Sequence, residues 1–164
     1  MRYDLVVNTF VRDALVKGTL TVHAGGEMWR PLVDVTDLSR VYIACVEAPD
    51  EKVRGRIFNI VEKNYRILEL AHWVREALRP LKKVEIEVDY SNYKTRSYRV
   101  SGQRIETALG VKPMVGVKES VEHMVRMIQQ QNQTDFLNPR YYNIEWMTML
   151  SEMEETLRRI GGVF

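Results

Sequence analysis

The stretch from Leu20 to Glu47 constrains this chain most. Leu20-Thr21-Val22-His23 is a short β-like run, and Gly25-Gly26 ends it. Pro31-Leu32-Val33-Asp34-Val35 is a second extended run. Thr36 or Asp37 can cap a helix from Leu38 to about Glu47, whose Val41, Ala44, Cys45 and Ala48 share one apolar face. Pro49-Asp50 stops it. Two extended runs around a glycine turn, leading straight into an amphipathic helix, need a helix packed on a sheet.

The rest of the chain repeats that alternation. Leu5 to Lys17 reads as a helix through Val6, Phe10, Val11, Ala14 and Leu15, with Gly18 as its stop. Arg56-Ile57-Phe58-Asn59-Ile60 reads as a buried strand. Leu68 to Leu78 is an amphipathic helix that ends before Pro80. Val84-Glu85-Ile86-Glu87-Val88 alternates strictly, as a half-buried strand does. Gln103 to Leu109 is a short helix with Gly110 behind it, and Val117, Val121, Met124 and Ile128 define another. After a polar connection from Gln129 to Asn138, Trp146, Leu150, Met153, Leu157 and Ile160 recur at alternating intervals of four and three. That spacing marks a packing seam. The expected fold is α/β: a small mixed sheet with several helices and a long C-terminal helix. Two regions are expected, a domain over 1–130 and a linker with packing helix over 131–164.

Composition excludes several function classes. A length of 164 residues suits one buried core. A net charge of +2 is too small for a surface built on polyanions. A single cysteine, Cys45, rules out an intrachain disulfide framework, so a reducing cytoplasm is the expected location. Neither a signal peptide nor a membrane-length apolar run is visible. His23, His72 and His123 are scattered, so no metal site is expected. Cys45 reads as inert on its apolar helix face, and the 8 methionines as core.

A dinucleotide site needs a glycine-rich turn between strand and helix, where backbone N–H groups meet a pyrophosphate. No G-x-G-x-x-G occurs, and Gly25-Gly26 reads as a turn. No Walker loop and no G-x-S-x-G elbow occurs either. Tyr90-Ser91-Asn92-Tyr93-Lys94 does fit Tyr-x-x-x-Lys. In that motif one helical turn stacks a lysine beneath a phenol and lowers its pKa for acid/base work. Here the pattern follows a strand and sits in a polar loop, so it reads as a chance match.

Four segments, in order, resemble the C-terminal part of the nucleotide-sugar epimerases and dehydratases of the extended short-chain dehydrogenase/reductase superfamily. The first is Arg2-Tyr3-Asp4-Leu5-Val6-Val7-Asn8 before a helix. The second runs from Leu20 through Gly25-Gly26, Trp29-Arg30-Pro31 and Val33-Asp34-Val35 to Arg40. The third is Phe58-Asn59-Ile60 with Ile67-Leu68-Glu69-Leu70-Ala71. The fourth is Arg96-Ser97-Tyr98-Arg99-Val100, then Ile105, Leu109-Gly110 and Pro113. Together they span about residues 2 to 128, and Asp135 to Asn143 also resembles the tail of some members. The resemblance implies a nucleotide-sugar-binding portion of an NAD-dependent enzyme without the Rossmann and catalytic half. The expectation is then a fragment, split gene product or truncation, inactive alone, with NAD carried by a separate N-terminal half.

The resemblance also implies site residues. Arg30 stands where members pair an arginine with the substrate diphosphate, and a guanidinium holds phosphate oxygens bidentately without losing its charge. Arg96 stands where a second arginine often reaches the diphosphate, with Lys94 or Arg99 as substitutes. His23 occupies a position often aromatic beside the nucleobase. Asp4 and Leu5 stand where members contact base or ribose. Asn8, a polar group on an apolar helix, needs a partner in ligand or backbone. Asp37 reads as a cap and Asn59 as a loop anchor.

The expected function is therefore binding of a nucleoside-diphosphate sugar. The alternative is a non-catalytic assembly module that dimerises through residues 143–161. A complete small enzyme using Tyr90 and Lys94 is a third, disfavoured reading.

Overall fold

The computed structural model describes residues 2–91 and 96–161 of the chain. Among these, four short strands and seven α-helices alternate, and two single 3-10 turns interrupt them. The strands form two separate two-stranded sheets instead of one mixed sheet. β1 (Thr19–His23) pairs in parallel with β4 (Glu85–Asp89), with Thr21 opposite Glu87 and His23 opposite Asp89. β2 (Trp29–Leu32) pairs antiparallel with β3 (Lys63–Arg66), with Arg30 opposite Tyr65.

Helix α4 (Ile67–Leu78) is the centre of the core. Its Leu70, Ala71, Val74 and Leu78 fall at helical spacing and are buried. They meet Phe10, Val11 and Ala14 of α1 (Val6–Lys17), Leu20 and Val22 of β1, and Val117, Val121, Val125 and Ile128 of α6 (Val117–Gln130). The strict alternation of β1 sends Leu20 and Val22 inward and leaves Thr21 and His23 exposed. Gly18 ends α1 in the left-handed region at φ 76°, and its N–H closes onto the Ala14 and Asp13 carbonyls.

Several boundaries differ from the sequence expectation. The second extended run is Trp29–Leu32, and α2 begins at Val35, running to Glu47. Asp34 is the N-cap: its carboxylate accepts the Thr36 N–H at 2.8 Å. Asp37 has another role. It is 2% exposed, and its Oδ2 accepts the N–H groups of Met114 and Val115 at 2.8 and 2.7 Å, while Arg40 donates to Oδ1. The carboxylate thus ties α2 to the segment before α6. Asp34 makes a second tie, accepting from Ser120 Oγ at 2.6 Å.

The largest departure is at residues 56–60. They form no strand, and Ile57 is 80% exposed. The ladder forms instead at Lys63–Arg66, where the backbone can pair with β2. Residues 56–60 are apolar at Ile57, Phe58 and Ile60, but no strand among the described residues pairs with them. The short helix α3 (Asp50–Val53) precedes it. The methionine expectation also fails in part. Met114, Met147, Met149 and Met153 are exposed, while Met28 and Met124 pack against the core. Helix α5 (Gln103–Leu109) buries only Ile105. The last helix, α7 (Asn143–Arg159), buries none of its side chains. No helix among the described residues is long and apolar enough to cross a membrane.

Gly26 shows why the glycine pair is needed. At φ +71°, a Cβ there would sit 2.7 Å from the Leu68 and Val22 side chains and 2.8 Å from the Leu68 backbone nitrogen. Gly55, at φ +67°, has nothing within 4 Å. Both alanine variants meet the left-handed penalty, and only Gly26→Ala adds overpacking. Urea denaturation should show a loss of roughly 2–4 kcal/mol for Gly26→Ala and about 1 kcal/mol for Gly55→Ala.

Candidate functional site

A cleft of about 800 Å³ opens between α1, β1, β2 and the start of α6. Asp4, Leu5 and Asn8 line it from the entry to α1, His23 from the end of β1, and Arg30 from β2. Five of the six residues singled out in the sequence therefore share one cavity. The sixth, Arg96, does not line it: its side chain is exposed, and its contribution is a backbone carbonyl.

Arg30 is half-buried and held in place. Its Nη1 donates to the Trp29 carbonyl at 2.8 Å and to the Arg96 carbonyl, and its guanidinium lies 5.7 Å from the centre of the Tyr98 ring. Among the described residues no carboxylate lies within ion-pair distance of Arg30. A guanidinium fixed through one nitrogen and ion-paired with no acid among the described residues can take the oxygens of an anion.

The segment 96–100 is laced over the second sheet. Trp29 N–H donates to Ser97 Oγ at 3.0 Å, and Tyr98 N–H to the Trp29 carbonyl at 3.4 Å. Asn64 of β3 takes the part of a missing strand neighbour. Its Nδ2 donates to the Val100 carbonyl and its Oδ1 accepts the Val100 N–H, both at 2.9 Å. Arg66 and Arg99 both stack against Trp29, at 5.2 and 5.1 Å from its ring. Arg99 is thus engaged with an indole outside the cleft, and Lys94 lies outside the described residues.

The remaining candidates are engaged locally. Asp4 accepts from Arg2 Nε and Nη2, both at 2.9 Å, and from the Asn143 N–H at 3.1 Å. The Arg2 hydrogen bonds hold the Asp4 carboxyl below its usual range. Asn8 Nδ2 donates to the Arg2 carbonyl at 2.6 Å. His23 Nδ1 faces Asp89 Oδ2 at 3.3 Å, with half of its ring still exposed. Leu5 is 48% exposed and offers an apolar edge at the cleft. Tyr90 is exposed in coil after β4 and does not line the cleft, and Lys94 lies outside the described residues.

Sequence reasoning missed Tyr98, Asp34 and Glu62, which also line the cleft. Tyr98 had a signal, since it lies two residues after Arg96 and shares its side of an extended segment. Glu62 had none; it is held there by Tyr65, whose hydroxyl donates to Glu62 Oε2 at 2.6 Å. Burial and this carboxylate raise the Tyr65 pKa. At Asp34 burial pushes the carboxyl up, yet the Ser120 and Thr36 hydrogen bonds and His123 hold it below its usual range. The glycine pair makes no phosphate cradle. Gly26 is filled by Leu68 and Val22, and Tyr90 packs over Gly25.

Residues 2–61 match the NAD dependent epimerase/dehydratase family. Solved structures of similar fold cover more of the chain. UDP-glucuronic acid 4-epimerase from Bacillus cereus, in complex with UDP-glucuronic acid and NAD, aligns with a TM-score of 0.65 at 20% identity, over 80% of this chain and 41% of its own. UDP-glucose 4-epimerase from Thermotoga maritima, with UDP-glucose, gives 0.62 at 20%, over 79% and 40%. dTDP-glucose 4,6-dehydratase from Bacillus anthracis, in complex with NAD, gives 0.60 at 15%, over 88% and 43%. The chain spans less than half the length of these structures. At such identity the likeness is one of fold. No curated protein sequence matches the chain.

The geometry around Asp4 carries a pH dependence. Its carboxyl is depressed in the folded state, so its contribution is present above the unfolded value of about 4 and is lost as pH falls through the folded value. Amide-exchange protection at Asn143 to Trp146, measured relative to the intrinsic exchange rate at each pH, should fall on acidification. Asp4→Asn should weaken that protection at neutral pH by about 1 kcal/mol, the scale of a helix cap, and flatten the acid response.

Proposed function

We propose that this chain is the nucleotide-sugar-binding portion of an NAD-dependent epimerase or dehydratase, inactive without an NAD-binding half. The observation that carries the reading is Arg30, a fixed guanidinium without an acidic partner among the described residues, set in a cleft of small-molecule size. In this reading Arg30 grips the diphosphate, and Tyr98 steadies the guanidinium from one face. Leu5 and His23 flank the nucleobase, and Asp4 and Asn8 shape the mouth through their bonds to Arg2 and Asn143. Arg96 serves through its carbonyl on Arg30, and its exposed side chain is available to a phosphate entering from solvent.

NAD and the acid/base groups belong, in this proposal, to a separate half. Its docking surface is α2 with residues 56–60. Val35, Tyr42, Ile43 and Val46 form one exposed stripe on α2, with Val46 85% exposed, and the Ile57 side chain lies open in a run that pairs with no strand among the described residues. An exposed apolar helix face near an unpaired apolar segment is a surface on which a larger α/β layer can be completed.

Calorimetric titration with UDP-, dTDP-, CDP- and GDP-sugars tests the reading, with NAD alone as control. One of the sugar nucleotides should bind, and NAD should not. Arg30→Ala should weaken that binding by roughly 1.5–3 kcal/mol, about ten- to a hundredfold. No binding to any of the four, or an unchanged affinity in Arg30→Ala, sinks the assignment.

A further inference from the structure

Helix α7 has a long apolar face and nothing to place it against. It spans Asn143–Arg159 and buries no residue; among the described residues its main packing is against the 3-10 turn at Pro139–Tyr141 that leads into it, with Asp4 at its first N–H. Trp146, Met153, Leu157 and Ile160 are all exposed along it, and Met147 and Met149 widen the same face. Isolated helices of this length are marginal in water, so most of their stability comes from packing. The seam repeats every 3.5 residues, the period that keeps one face turned to a single partner helix.

We infer that the occupant of this face is α7 of a second copy, running antiparallel. The proposal stands independently of the nucleotide-sugar reading. Three observations select the occupant and the direction. The seam is self-complementary when reversed: Trp146 of one copy meets Leu157 of the other, and Leu150 meets Met153, so four core layers form with no polar residue among them. An isologous two-fold contact requires such self-matching.

The charges also favour reversal. Glu145 lies in the first turn, close to Asp4 at the Asn143 N–H, and Arg158 and Arg159 lie in the last. Antiparallel packing sets the basic end of one helix beside the acidic end of the other, and opposes the two helix dipoles favourably. Parallel packing would instead align the two dipoles; Arg158 and Arg159 lie off the seam, each paired with Glu154 or Glu155 of its own helix. Finally, the contact is of workable size. A helix of about 25 Å at 1.5 Å per residue, paired along its length, removes on the order of 1,000 Å² from solvent. That is the lower bound for a specific interface, so the dimer is weak and concentration-dependent.

Sedimentation velocity over a concentration series tests the proposal on the whole chain. A monomer–dimer equilibrium in the micromolar range is expected. Met153→Glu should weaken it at least about tenfold. Thr148→Glu, on the opposite side of α7, should leave it unchanged. Neither change touches the core, so both variants should keep the parent's thermal unfolding. Direction is read from spin labels at Arg159→Cys in a Cys45→Ser background. Labels at opposite ends of the pair, about 25 Å apart, support antiparallel packing. A monomer at all concentrations, a dimer that survives Met153→Glu, or closely paired labels would overturn it. A monomer whose α7 is instead captured by another protein counts against it equally.

Discussion

Burial of α4 is the constraint on which the rest of this structure depends. With only two strands in each sheet, neither sheet can form a core alone. Leu70, Ala71, Val74 and Leu78 bring α1, α6 and the β1–β4 pair onto one helix, and the short strands gain stability from that contact. Deleting one such buried side chain typically costs 2–5 kcal/mol, a large fraction of the stability of a domain this size. The cleft is a by-product of the same arrangement. The first sheet reaches it through exposed His23, and the second through Arg30.

Polar groups then do what the small core cannot. Asp37 and Asp34 fasten α2 to the chain before and within α6, and Asn64 fastens the 96–100 segment to β3. Each satisfies buried or half-buried backbone and hydroxyl groups that would otherwise be costly. Arg30 is positioned by the second of these devices, because the Arg96 carbonyl that holds it belongs to the fastened segment. The position of the Arg30 guanidinium therefore depends on Asn64, one step removed from it.

Periodicity revealed much of this. The spacing of Phe10, Val11 and Ala14, of Leu70, Ala71 and Val74, and of Val117, Val121 and Ile128 located three core helices, because helical amphipathicity is local and strong. The strict alternation over 84–88 located β4. What the sequence concealed depended on distant partners. Residues 56–60 carry the pattern of a buried strand, but pairing is a property of two segments, and β2 pairs with Lys63–Arg66 instead. Asp37 looked like a cap because caps are local, whereas its real acceptor role spans to Met114 and Val115. The site was legible as a set of residue types at Arg30, His23, Asp4, Leu5 and Asn8. That Arg96 acts through its backbone and Tyr98 through its ring could not be read without the fold of the 96–100 segment.

The join between the first and last parts of the chain has a kinetic meaning. Tyr3 is buried edge-on between Phe136 and Tyr141, Arg12 donates to Tyr142, and Asp4 reaches Asn143 across 139 positions of sequence. Closing a loop that long carries an entropic cost of about 4 kcal/mol, which the contacts recover only once both ends are in place. Such long-range contacts raise the contact order of the chain and so slow its folding. Because Asp4 belongs to this join and lines the cleft beside Leu5 and Asn8, that edge of the cleft rests on the meeting of two segments far apart in sequence.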